Sequence, residues 1–347
     1  MEQIIIGVDT HKSNHIAVAI SHQGARLGTM TIPTTRSGYR DLEAWASEFG
    51  KVKAFGIEGT GSYGAGLSRD LLERGHTVLD VMRPNRQLRY LHGKSDSLDA
   101  EGAARSVLNG QATAAAKTQT GSVEMIRHLK VARDSAVKSR SQAVVTLKTL
   151  IVNAPAQLRD CLDQVRGKIA LIRHIAAMRP GEMTTPTASA KAAMRAIARR
   201  WLFLHEEIRT LDHELATLVE LCAPKLLKAH GIGPMTAAEM LILVGDNPER
   251  IKSEAALAKL CGVCPIPASS GKTNRMRLNR GGNRQANAAL YRVAIVRMRD
   301  HEVTQSYVAK RTIEGKSKRE IIRCLKRYIV REIFRHLCRP ETLKSQC

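Results

Sequence analysis

Two short apolar runs, each ending on an acid, set the frame for this chain. Gln3–Asp9 reads QIIIGVD and Lys53–Glu58 reads KAFGIE. A run this short and continuously apolar suits a strand covered on both faces, where alternation is not needed. His15–Ile20 (HIAVAI) and Gly28–Pro33 (GTMTIP) read as hairpin neighbours of the first run. Arg36–Phe49 has helical spacing and separates the two acid-ended runs, so it reads as a crossover between strands. Tyr63–Arg74 is helical again, Thr77–Met82 is a third buried strand, and Ser95–Leu108 is helical. The expectation is an α/β domain over residues 1–115, a mixed sheet with helices on its faces.

The rest reads as all-α. From Val123 to Ile151 apolar residues recur with amphipathic helical spacing, and the prolines and glycine of Met178–Pro186 break the pattern. Trp201, Leu204, Ile208, Leu211, Leu215, Leu218 and Cys222 then alternate in steps of three and four, a heptad seam. Residues 116–224 are therefore expected as two long, coiled-coil-like helices, packed on each other within the chain or forming a subunit contact. Residues 225–347 open with LLKAHGIGPMTAAEMLILVGD, a helix, a Gly-Ile-Gly turn and a second helix near Thr236. That pattern is like a helix-hairpin-helix, in which backbone N–H groups around Gly231 and Gly233 face a phosphate. A tight αα-hairpin needing glycine for its turn is the plainer reading.

Charge narrows the classes of partner. The chain has 55 Lys and Arg against 32 Asp and Glu, a net +23. Residues 1–110 are nearly balanced, 13 basic to 12 acidic, whereas residues 271–347 hold 20 basic and 6 acidic. A surplus concentrated at one end suits a polyanion, because each phosphate neutralised releases condensed counterions. Aromatic residues are only 3%, which argues against rows of base-stacking side chains. No apolar run is long enough for a membrane span; Leu241–Val244 is typical of the longest. The opening MEQIIIGVDTHK lacks a signal peptide's basic start, and seven scattered cysteines form no disulfide framework. A cytoplasmic protein with reduced thiols, away from membranes, is expected.

Four acids stand where two-metal chemistry would want them. Asp9 and Glu58 end their strands, and Asp96 and Asp99 lie three apart on one helix face. Together they could hold Mg²⁺, a hard cation that takes oxygen ligands and keeps waters. Singly, each has a plainer role as a turn former or helix cap. All four in the order strand, strand, helix are hard to ascribe to chance. Asp80, inside the third strand, is a secondary candidate.

A second constellation lies in GVCPIPASSGKTNRMRLNRGGNRQANAALY, residues 262–291. A serine on a glycine-supported loop, amid Lys272, Arg275, Arg277, Arg280 and Arg284, could attack a phosphodiester while the cations offset developing charge. Ser, Gly and Pro also make ordinary turns, and on composition alone that reading wins. Tyr291 is a weaker nucleophile candidate. Cys261 and Cys264 form a lone C-x-x-C without a second pair, poor support for zinc.

Taken together, GVDTHK, GIEGTGSYG, RPNRQLRYLHGKSDSLDA and the segment GIGPMTA through RGGNRQANAALY resemble the DEDD-type insertion-sequence transposases. These are RuvC-like, serine-bearing, bridge-RNA-guided recombinases. The resemblance covers roughly residues 1–110 and 225–300. It implies a RuvC/ribonuclease H-like catalytic domain with its acidic tetrad on Asp9, Glu58, Asp96 and Asp99. It also implies a serine nucleophile at Ser270, directly before glycine, with Ser269 as the alternative, and a covalent 5′-phosphoserine link to cleaved DNA. The implied partners are donor and target DNA, a structured non-coding bridge RNA, and further copies of the chain in a tetramer. A basic helical extension from residue 300 lies beyond the matched segment. The chain has no P-loop pattern, and a covalent intermediate would need no ATP. The alternatives are a hydrolytic, junction-type endonuclease using the same acids with water, and a non-catalytic nucleic-acid-binding protein.

Overall fold

The chain opens as an antiparallel meander, β1 (Gln3–Thr10), β2 (Asn14–Ser21) and β3 (Arg26–Pro33). Helix α1 (Arg36–Phe49) follows, its first turn held by Thr35, whose side chain accepts from the Gly38 N–H. The helix returns the chain so that β4 (Lys51–Glu58) lies parallel to β1. Helix α2 (Ala65–Glu73) makes the next crossover, to β5 (Val78–Val81), which is parallel to β4. The sheet order is β3-β2-β1-β4-β5, the mixed α/β architecture read from the sequence. These coordinates are a computed structural model that describes residues 2–81, 95–271 and 276–339. Met82 and the RPNRQLRYLHGK segment lie outside the described residues.

Both faces of the sheet are covered. On one, Ile4, Ile6, Val8, Phe55 and Ile57 pack with Leu42 of α1 and with Leu67 and Leu71 of α2. On the other, Ile5, Val18 and Ile20 meet Ala100 and Ala104 of α3 (Asp96–Leu108). Double coverage is why β1 reads as an unbroken apolar run. Each fully buried Ile or Leu contributes roughly 1.5–3 kcal/mol.

The chain divides into two compact units. The first comprises Met1–Glu124, Ala229–Gly231 and Glu239–Cys347, so the sheet and the basic C-terminal helices share a unit. Residues 116–123 are sutured to the turn at Gly245. The Asn247 side-chain amide donates to the Ala116 carbonyl at 2.9 Å, and the Val123 N–H donates to Asp246 Oδ1 at 2.8 Å.

The second unit comprises Met125–Lys228 and Ile232–Ala238. It is built on two long helices, α4 (Ser122–Val152) and α7 (Pro186–Cys222), with two shorter ones between them, α5 (Ala156–Asp163) and α6 (Lys168–Ala177). The shorter pair is not resolved by the sequence reading, because each offers barely two turns of periodicity. The long helices run antiparallel: Arg133 Nε donates to Asp212 Oδ1 at 2.8 Å, and Arg140 bonds His205 at 2.9 Å. Trp201, Ile208 and Leu215, seven apart, are buried on the seam of α7, while Leu204, Leu211 and Leu218 are half-buried.

Beyond α7 the chain forms α8 (Pro224–Leu227), α9 (Pro234–Val244), α10 (Glu254–Leu260), a hairpin of β6 (Ile266–Pro267) and β7 (Met276–Arg277), then α11 (Arg284–Asp300), α12 (Glu302–Ile313) and α13 (Lys318–Leu337). The arm before the Gly-Ile-Gly turn is thus only four residues long, and the helix after it begins two residues before Thr236 because Pro234 suits a first helical position. Gly231 has φ +75°, a backbone conformation that favours glycine. Among the described residues, no helix is long and apolar enough to cross a membrane.

Candidate active site

Two glycines decide where the acids meet. Gly7 and Gly56 are register partners on the parallel strands β1 and β4, and α3 lies directly on them. A Cβ on Gly7 would stand 2.0 Å from the Ala100 carbonyl oxygen, and one on Gly56 would stand 2.6 Å from Val107. Without those side chains α3 approaches at backbone distance, and its N-terminal turn overhangs the strand ends. Asp9 is the penultimate residue of β1, Glu58 the last of β4, and Asp96 and Asp99 open α3. Ser95 caps that helix by accepting from the Leu98 N–H. Thr10 Oγ1 donates to the Glu58 carbonyl at 2.8 Å and ties the two strand ends together.

The electrostatics of the cluster centre on Asp9, which is buried. Burial raises its carboxyl above the ordinary value of 3.8, His11 pulls it down, and the charges of Glu58, Asp99 and Asp96 push it up again. Glu58, Asp96 and Asp99 therefore each lie within electrostatic reach of Asp9. His11 Nε2 sits 3.3 Å from a carboxylate oxygen of Asp9 and 3.3 Å from one of Asp96. That nitrogen is shut off from water and makes no hydrogen bond. Asp9, His11 and Asp96 each offer one ligand atom, all within 4.8 Å of one another. A set of acids that raises one of its own members, with a lone nitrogen lodged between two of them, is short of positive charge. Its donors are mostly hard carboxylate oxygens, which suit a hard divalent cation.

Asp80 does not join this cluster. Its Oδ1 accepts from Thr60 Oγ1 at 2.6 Å, and the Thr60 carbonyl accepts from the Gln119 amide at 2.7 Å. Its charge also supports the half-buried guanidinium of Arg250, which desolvation holds below its ordinary range. These contacts give Asp80 a structural role in the loop after β4.

Ser270 is exposed on the connection between β6 and β7, followed by Gly271 at φ +54°. The hairpin base is anchored. The Asn279 amide donates to Cys264 Sγ at 3.1 Å, and the Asn287 amide donates to the Cys261 carbonyl at 3.0 Å. Gly282 lies so close to Gly262 that a Cβ would stand 2.1 Å from the Gly262 nitrogen. Arg277, Arg280 and Arg284 are exposed around this hairpin and the start of α11. Lys272 and Arg275 lie outside the described residues. Tyr291 is 49% exposed on α11. Cys261 is buried, which pushes its thiol up to about 12.

His11 and the glycine pair carry no role in the sequence reading. His11 stands two residues after Asp9 in GVDTHK, but one sequence does not reveal which way its ring turns. The G-x-D and G-x-E spacings before Asp9 and Glu58 were the available signal for close helix docking.

Two family models match this chain in collinear order. Residues 6–154 match one for DEDD transposases of the IS110 type, described as Transposase. Residues 223–309 match one described as Transposase IS116/IS110/IS902 family. Over 134 residues the chain is 30% identical to an insertion element IS110 uncharacterized 43.6 kDa protein of Streptomyces coelicolor. That similarity covers 38% of this chain, and the chain spans 33% of that curated relative. The four acids fall in the first matched stretch and Ser270 in the second.

Proposed function

This chain belongs to the IS110-type family of DEDD transposases, and from that membership we propose that it is an enzyme that cuts and rejoins DNA in the movement of an insertion sequence. The observation that supports the reading is the approach of His11 and Asp96 to the buried carboxyl of Asp9, on which the charges of Glu58 and Asp99 also act. We assign Mg²⁺ to these four acids within a ribonuclease H-like domain over residues 1–115. When bound, the ion supplies stabilisation of the charge that develops on the scissile phosphate.

The chain's own groups do the rest. Ser270 Oγ attacks phosphorus, a P–O bond to the serine forms, and the bond to the 3′-oxygen breaks. The serine proton is lost and the departing 3′-oxygen takes one up. The number of phosphoester bonds is unchanged, so rejoining by the reverse step needs no ATP. Exposed Arg277, Arg280 and Arg284 hold phosphate oxygens by charge-assisted hydrogen bonds, with Lys272 and Arg275 just before them in sequence. The Gly231–Gly233 turn contributes backbone N–H groups to a further phosphate. A structured non-coding bridge RNA supplies sequence choice by base pairing, and the working assembly is a tetramer in which one subunit's acids serve another's serine. The basic surplus of residues 271–347 supports polyanion binding.

The test is a denaturation-resistant adduct between the protein and matching DNA, formed with copurified RNA and Mg²⁺. We expect the wild type and Ser269→Ala to form it and Ser270→Ala to lose it together with strand exchange. Cleavage that leaves free 5′-phosphates and no adduct would replace this reading with the hydrolytic one.

A further inference from the structure

The basic C-terminal helices enclose a cavity of about 590 Å³, away from the acidic cluster, between the base of the β6–β7 hairpin, α12 and α13. Small-ligand sites run to roughly 300–1,000 Å³. Seven cationic side chains line the cavity, with one carboxylate, Glu320, among the described residues. Glu320 is already engaged, accepting from the backbone N–H and hydroxyl of Ser317. Arg311 pairs with Glu314, and Arg327 and Arg331 share Glu254. Arg277 and Arg323 have no ion-pair partner among the described residues. Two guanidinium nitrogens in the lining, Arg311 Nε and Arg327 Nη1, are buried and make no hydrogen bond. Such a wall is built for an anion with several acceptor oxygens.

The same cavity offers flat faces. Tyr307 and Tyr328 meet edge to face with ring centroids 5.5 Å apart. Arg311 lies 5.6 Å over the Tyr307 ring, and Arg331 lies 5.6 Å over the Tyr328 ring. Tyrosine rings and guanidinium planes are the surfaces on which unpaired bases stack. A site for phosphate alone would need no such faces, and an acidic peptide would leave them unused. We propose that this cavity is a binding site for one unpaired nucleotide of a nucleic-acid strand, its base stacked on the Arg–Tyr–Tyr–Arg ladder and its phosphate between Arg323 and Arg327. The proposal rests on the reading that the chain acts on nucleic acid, and it gives the C-terminal helices a site separate from the serine and the acids.

The experiment uses the full-length protein and three labelled probes: a short oligothymidylate, the matching oligouridylate and a blunt DNA duplex. Tyr328 is 50% exposed, so its removal leaves the core intact. We expect Tyr328→Ala to weaken single-strand binding about tenfold, the scale of one base–aromatic stack, with duplex binding unchanged. Tyr328→Phe, which keeps the ring, should restore it. A loss confined to the thymidine or uridine strand supports the site and identifies DNA or RNA as its source. The proposal is overturned if Tyr328→Ala binds single strands normally, if it weakens duplex binding equally, or if Tyr328→Phe behaves like Tyr328→Ala. A wild-type protein that binds none of the probes overturns the nucleic-acid reading as well.

Discussion

Asp9 shows how one side chain records its neighbours. Burial, opposed by His11 and reinforced by Glu58, Asp99 and Asp96, lifts its carboxyl above 3.8. Between the unfolded and folded values the native state binds its proton more tightly, so stability falls as pH rises through that window. Above the window the ionised Asp9 is a standing cost to the fold. We therefore expect Asp9→Asn, at neutral pH without divalent ions, to melt higher than the wild type. Mg²⁺ should then raise the melting temperature of the wild type and leave that of Asp9→Asn unchanged. Thermal scans with and without the ion check both halves. A variant that melts lower in the absence of metal would mean that its neighbours hold Asp9 as an anion.

Helix α3 is the element on which the acidic cluster depends, because it carries two of the four acids and docks through Gly7 and Gly56. Gly7→Ala drives a methyl group against the Ala100 carbonyl and Ala104. Overpacking of this kind typically costs about 1–3 kcal/mol, and here it also lifts Asp96 and Asp99 away from Asp9. We expect a lower denaturant midpoint together with a smaller Mg²⁺-induced shift in melting temperature. Gly102, on the same helix, has open space where a Cβ would go. Gly102→Ala should gain roughly 0.5–1 kcal/mol from helix propensity and keep the full Mg²⁺ response. Equal losses in both variants would show that close docking is not what orders the helix.

Across the whole molecule, charge is segregated by sequence position, balanced before residue 111 and strongly basic after residue 270. Electrostatic contact with several phosphates makes affinity fall linearly with salt on logarithmic axes. For six to ten phosphate contacts the loss is about 10³–10⁵-fold between 50 and 200 mM salt. We expect duplex DNA binding by the full-length protein to fall within that range, measured by anisotropy across a salt series. A shallow dependence would mean that the basic helices face other protein and not nucleic acid.

The mixed sheet, the strand-end acids, the helix carrying Asp96 and Asp99 and the two long helices of the second unit were all legible in the order of residues. Period, turn chemistry and chain direction are local properties, and they suffice to set elements and their sequence of crossovers. The short helices α5 and α6 were not legible, being too brief to express a period. Nor was His11 between two carboxylates, Asp80 bonded to Thr60, or two of the six tyrosines converging on one cationic cavity. Composition counts rings and charges without saying which ones meet. Such meetings join residues far apart in the chain, and their distances follow from how closely one backbone can approach another, as α3 does over Gly7.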